Sequence, residues 1–206
     1  IFRYAEDKEI KVNSEEFTNL EINDIKTPGG NIWNGNYKIK LGTEMVNLDN
    51  IEHDLIRGNA KGDLKQYIVT KLDPRIHAAV NCAAISCPRV REIAYHESNI
   101  EIELEKNMIE YLGSENQFKK ISNKKMQMNS IVFWYYGDFD DHGKDILNLS
   151  GAGDYLASFI KKDITDSAWK ISHLKKHFND RSKIALKFSS AFDFEYNWKI
   201  NDIRNK

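Results

Sequence analysis

The segment Asp73-Pro74-Arg75-Ile76-His77-Ala78-Ala79-Val80-Asn81-Cys82-Ala83-Ala84-Ile85-Ser86-Cys87-Pro88 holds the densest chemistry in the chain. It places an imidazole, a carboxamide and two thiols within sixteen residues. A thiolate beside an imidazole is the minimal unit for nucleophilic catalysis. Pro88 favours the first turn of a helix, which predicts Cys87 at the N-cap. There the helix dipole stabilises a thiolate, and Arg89 and Arg91 act in the same direction. Cys87 is therefore the expected nucleophile and His77 its base.

Other chemistries for the same residues stay open. The two cysteines can form a small disulfide, or both can be inert core thiols. His53, His77, Cys82 and Cys87 have the side-chain types of a metal site. Their H-x4-C-x4-C spacing matches no standard zinc pattern, so no metal and no cofactor are expected. A redox C-x-x-C motif is excluded, because four residues separate the sulfurs. His53 reads as a helix-surface histidine. His142 reads as a solvated loop residue, and His96, His173 and His177 as exposed among charges.

Stepping outward, Ile76 to Ala84 is almost wholly apolar and predicts a buried strand, with a buried helix as its rival. A strand puts His77, Ala79 and Asn81 on one face. Ile76, Ala78, Val80 and Cys82 then share the other, which makes Cys82 a small core residue. A helix is expected near 14–25, before the loop signal Thr27-Pro28-Gly29-Gly30. Tyr37–Leu41 and Glu44–Leu48 alternate around Gly42-Thr43 and predict a hairpin. Asp49 and Glu52 have capping-box spacing before a short helix Asn50–Arg57 that stops at Gly58. Ser98 and Glu101 repeat that spacing before an apolar-striped helix to about Leu112.

Further on, 118–129 predicts a hairpin around Asn123-Lys124, and the aromatic run Phe133–Tyr136 a short helix. Helices are expected near 151–162 and 165–178, and a late strand at Ile184–Phe188. Helices mixed with antiparallel hairpins make a single α+β domain, a small antiparallel sheet packed by several helices.

Composition narrows the function. The chain has 206 residues, 30 Lys+Arg against 31 Asp+Glu, and 41% apolar residues. That describes a globular protein with one hydrophobic core. Near-zero net charge argues against a generic nucleic-acid binder. No apolar run approaches the ~18 residues that span a bilayer. Two cysteines are too few for a disulfide scaffold. The chain begins at Ile1, so any signal peptide is expected to have been removed.

Leu48-Asp49-Asn50-Ile51-Glu52-His53, Asp73-Pro74-Arg75-Ile76-His77, Asn81-Cys82 and Ser86-Cys87-Pro88 together resemble the domain of unknown function 547 family. Trp134-Tyr135-Tyr136-Gly137-Asp138-Phe139 and Tyr196-Asn197-Trp198-Lys199-Ile200-Asn201 resemble it too. The resemblance runs over about 20–203, with 1–19 as an extension. A helical Trp-Ile-Asn-x-Tyr-Asn segment typical of the family is not found upstream of residue 20, so the domain's N-terminal part is expected to be missing. The resemblance implies a bacterial protein that is periplasmic, envelope-associated or secreted, with the cytoplasm not excluded. It also implies comparison with papain-like and transglutaminase-like cysteine hydrolases. On that footing Cys87 attacks a peptide or small amide, His77 moves the proton, and His53, or else Asp73 or Asn81, orients the imidazole. Glu52, Asp73, Arg75, Asn81 and Cys82 are the expected binding residues. The alternative is a non-catalytic binding module in which the same residues are structural.

Overall fold

Gly42-Thr43 turns the chain back on itself as its composition predicts. The computed structural model describes residue 8 and residues 15–27, 30–35, 38–179 and 182–201. Pro28, Gly29, Tyr37 and most of the 1–19 extension lie outside them. In chain order the first elements are helix α1 (Glu15–Asn19), a 3-10 turn at Ile22–Asp24, and strands β1 (Lys26–Thr27), β2 (Gly30–Asn31), β3 (Ile39–Leu41) and β4 (Glu44–Val46). β3 and β4 pair antiparallel with Ile39 opposite Val46. Gly42 takes a φ of 60°, the left-handed conformation that a tight hairpin turn demands.

The chain packs as two compact units. The first takes residues 1–72, 82–85 and 198–206, and the second takes 73–81 and 86–197. In the first unit, Ile22, Ile25, Val46 and Leu55 are buried. The helix after β4 is a π-helix, Asn50–Ile56. Asp49 does not cap it, because Asp49 is itself helical. The reciprocal cap lies two residues earlier: the Asn47 side chain accepts from Asn50 N at 2.9 Å and the Asn50 side chain from Asn47 N at 3.1 Å.

The expected strand over 76–84 does not form. Pro74–Ala78 is a 3-10 helix in the second unit. Pro74 presets the first-turn φ, and the Asp73 carboxylate caps the Arg75 N–H at 2.9 Å. Ala83 takes a φ of 63°, which breaks any extended run. In the first unit Ala84 forms only an isolated bridge with Ile200. The two-face alternation therefore fails, and Cys82 is half-buried rather than core.

The second unit is built on helix α2 (Ile100–Gly113) and a sheet of β5 (Phe118–Ser122), β6 (Lys125–Asn129) and β7 (Phe192–Glu195). α2 starts at Ile100, two residues after Ser98, behind Asn99 as N-cap. Its buried Leu104, Met108, Tyr111 and Leu112 form one helical stripe. β5 and β6 make the expected hairpin, and β7 adds in parallel to β6. Helices α3 (Ser130–Trp134), α4 (Tyr136–Asp141), α5 (Ala152–Ser158), α6 (Ser167–His177) and α7 (Lys183–Lys187) complete the unit. Met108, Phe118, Met126, Met128, Phe139, Leu156 and Phe178 lie in one core. Burying each such side chain contributes about 1.5–3 kcal/mol.

The expected strand Ile184–Phe188 is instead helix α7 (Lys183–Lys187) with Phe188 as its C-cap. The Ser182 hydroxyl caps it by accepting from Ala185 N at 3.1 Å. Its apolar alternation misleads because only Leu186 is buried, while Ile184 and Phe188 face solvent. His173 is buried, not exposed: its ring stacks on Trp169 and its Nε2 bonds the Ala191 carbonyl at 2.9 Å. His142 is part of a π-helix, His142–Ile146, rather than a solvated loop, and its Nδ1 is buried. The α+β class is as expected, with helices around small antiparallel and mixed sheets.

Candidate active site

Three residues at the start of α4, its N-cap Tyr135 and the helical Asp138 and Phe139, surround His77. Tyr135, Asp138 and Phe139 are spaced i, i+3, i+4 and so project to the same side. The Tyr135 ring stacks on the imidazole at 3.8 Å between centroids, only 11° from parallel. Phe139 meets its edge at 5.5 Å. Asp138 Oδ2 lies 2.8 Å from His77 Nε2. When the carboxylate is ionised it can only accept, and the bond is then donated by Nε2–H. His77 is itself buried. The stacked ring, the edge contact and the carboxylate together fix the orientation of the imidazole.

The 3-10 helix that carries His77 is pinned from below. Arg75 donates from Nε to both Asp73 oxygens at 3.0 Å and bonds Glu101 Oε2 on α2 at 2.5 Å. Burial pushes the Asp73 carboxyl up, but hydrogen bonds and charge from Arg75 outweigh it and hold the group below its ordinary range. Asp73 and Arg75 are thus occupied with each other and with α2. Asn81, the last residue of this segment, donates to the Pro88 carbonyl at 2.5 Å. That bond ties the His77 segment directly to the residue after Cys87.

No helix follows Pro88, so the N-cap expected for Cys87 is not there. Cys87 is held by its neighbours instead. The Asn129 side chain caps α3 by accepting from Ile131 N at 2.9 Å, and donates to the Ser86 carbonyl at 2.7 Å and to Gln117. The Ser86 hydroxyl accepts from Asn197 N at 2.8 Å. The Cys87 sulfur lies 3.3 Å from the Tyr196 hydroxyl. The Tyr196 ring in turn packs on Trp134 at 4.8 Å. Trp134 is followed by Tyr135, the stacking partner of His77. The short helix α3 and its C-cap therefore position both the thiol and the imidazole.

Arg89 and Arg91 are not thiolate partners. Arg89 pairs with Glu92, and Arg91 with Glu103 and Glu110 of α2 at 2.8 Å. With Lys106 they line an open cleft of about 260 Å³. Both cysteines are free, so no disulfide joins them. Cys87 is the buried one, at 7% exposure. Tyr111 of α2 is buried with its hydroxyl unpartnered. Burial drives that phenol well above its ordinary range, and the nearby Cys87 adds to the shift.

His53, Glu52 and Cys82 belong to the first unit. His53 is exposed on its π-helix, and its carbonyl accepts from Asn59. Asp138 is a carboxylate bonded to His77, in addition to His53, Asp73 and Asn81, which were the expected orienting choices. Asp138 lies in the Trp134–Phe139 run that carries the family resemblance, but nothing in the sequence places it against His77. Tyr196 likewise lies in a resemblance segment, and its contact with Cys87 is made by long-range packing that the sequence does not signal. Among the described residues no group of three His, Cys, Asp or Glu side chains is placed to hold a metal ion. No described helix is long and apolar enough to cross a membrane.

Neither the curated proteins nor the solved structures contain a match to this chain. One family model does match, over residues 12–112. That stretch includes His53, His77, Cys82, Cys87 and Tyr111, and it ends before Tyr135, Asp138 and Tyr196. That model is described as Protein of unknown function, DUF547, and its match over residues 12–112 is consistent with the resemblance read from the sequence.

Proposed function

We propose that the chain is a cysteine-dependent hydrolase or acyl transferase acting on a peptide or small amide. Cys87 is its nucleophile, His77 its general base and acid, and Asp138 the residue that orients His77. The carrying observation is the Asp138–His77 contact at 2.8 Å, under a stacked Tyr135. An imidazole so held is preorganised for proton transfer, which contributes typically ~10²–10⁴-fold to rate. The thiol proton passes to His77 and the sulfur attacks the carbonyl carbon. The leaving amine departs with that proton, and water or a second nucleophile then breaks the thioester. A periplasmic, envelope or secreted location is part of the proposal and rests on the family resemblance.

Incubation with p-nitrophenyl acetate, followed by peptide mapping, tests the reading. A single acetyl thioester on Cys87 that is lost in His77→Ala supports it. Acetylation confined to lysines or to Cys82 overturns it. A second reading has its own observation: a thiol at 7% exposure, bonded to Tyr196, is held as a structural cysteine is held. Under that reading the chain is a non-catalytic binding module, and Cys87→Ala leaves ligand binding unchanged while lowering stability through the lost packing and the lost Tyr196 contact.

A further inference from the structure

Helix α7 buries one side chain, Leu186, in the core of its unit. The Ser182 hydroxyl caps it, and the Lys183 ammonium bonds the Trp134 carbonyl at 2.5 Å over the Phe133 ring. Away from Leu186 stand Ile184, 73% exposed, and Phe188, 80% exposed. They are four residues apart, so they share one face. No other large apolar side chain among the described residues is as exposed as these two. Single apolar residues scattered over a surface are ordinary, whereas the two most exposed ones together on a helix fixed from behind make a patch. The sequence around that patch is basic. From Ile171 to Phe192 it carries Lys175, Lys176, Arg181, Lys183 and Lys187 against one carboxylate, Asp180, in a chain of net charge −1. Lys175 pairs with Asp154 at 3.2 Å. Lys176, Lys183 and Lys187 are exposed, and the last two directly precede Ile184 and Phe188.

We infer that α7 is a peripheral docking site for an anionic lipid surface. Ile184 and Phe188 enter the acyl region, and Lys183 and Lys187 lie at the headgroups. The inference rests on neither the cysteine chemistry nor the location proposed above. A ring 80% exposed offers a knob rather than a groove. A specific protein partner needs ~1,000 Å² or more of complementary surface, far more than two side chains present. A bilayer needs no matching shape, and it takes up an apolar face while long cationic side chains reach its headgroups. Apolar insertion and attraction to anionic lipid add, and with one short helix their sum gives weak, reversible binding.

The test sediments the full chain with sucrose-loaded vesicles, made either of phosphatidylcholine alone or of phosphatidylcholine with an equal part of phosphatidylserine. Binding to the anionic vesicles is expected, roughly 10-fold or more above that to the neutral ones. Ile184→Ser with Phe188→Ser is expected to weaken it roughly 10-fold or more, because the transfer of large apolar side chains is lost. Lys187→Gln is expected to weaken it about fivefold, and added salt to weaken the parent. Both variants should melt as the parent does, since the replaced residues are exposed, so lost binding is not lost folding. No sedimentation with anionic vesicles overturns the inference. So does binding that survives the double serine substitution, or that is equal on neutral vesicles. A dimer that the double substitution dissociates, or capture by poly-glutamate in place of vesicles, overturns it in favour of a protein partner. None of these outcomes touches the Cys87 reading.

Discussion

Replacing Asp138 in two steps dissects the grip on His77. Asp138→Asn keeps shape and an acceptor oxygen but removes the charge, while Asp138→Ala removes the bond. The contact is 2.8 Å, with the imidazole 4% and the carboxylate 16% exposed, so solvent screens it little. A hydrogen bond to a charged group is worth about 1.5–3 kcal/mol and a neutral one about 0.5–1.5. The Asn variant therefore loses about 1–1.5 kcal/mol and the Ala variant about 1.5–3. For a chain of this length each kcal/mol shifts the thermal midpoint ~2–4 °C, so Asp138→Ala should melt roughly 3–12 °C lower. If the same free energy orients the base in the transition state, Cys87 acetylation falls ~5–10-fold in Asn and ~10–150-fold in Ala. The assays are calorimetry and the p-nitrophenyl acetate reaction on the same preparations. A graded loss in both supports the assignment. Lower midpoints with undiminished acetylation refute the orienting role and leave Asp138 a structural partner only.

Asp73→Asn weakens the latch of Asp73 on Arg75. Because Arg75 holds the folded-state carboxyl below its ordinary range, this stability is present at neutral pH and is lost as pH falls through the folded-state value. Midpoints of the two proteins should differ most near neutrality and converge below about pH 4; a constant gap would contradict this. Asn129→Ala removes the α3 cap, about 1 kcal/mol, and strands the Ser86 carbonyl, a further ~1–3 kcal/mol. Urea unfolding should show the sum, with faster proteolysis of residues 86–88. Phe139→Ala empties a fully buried site against His77 and should cost about 3–5 kcal/mol, read by the same unfolding curve.

Local signals in the chain were reliable where neighbours decide the structure. The Gly42-Thr43 hairpin, the 118–129 hairpin and the stripe of α2 all formed where turn chemistry and periodicity placed them. Residues 76–84 misled for a physical reason. An apolar run without charges reads as a strand, yet Pro74 and the Asp73 cap set a 3-10 turn, and Ala83 then breaks the extension. The two cysteines exchanged environments with their expected ones, since burial followed the disposition of Ser86, Asn129 and Tyr196 rather than the apolar run. Thiol and imidazole were legible as types. Asp138, 61 residues from His77, was not, because only the packing of α4 brings it there.

The central claim is that His77 activates Cys87. The most direct measurement is the second-order rate of Cys87 alkylation by iodoacetamide at neutral pH, in a Cys82→Ser background. An activated thiol should react faster than free cysteine, and His77→Ala should bring it down to or below the free-cysteine rate while the protein stays folded. Alkylation of Cys87 no faster than free cysteine, and unchanged by His77→Ala, would contradict the account.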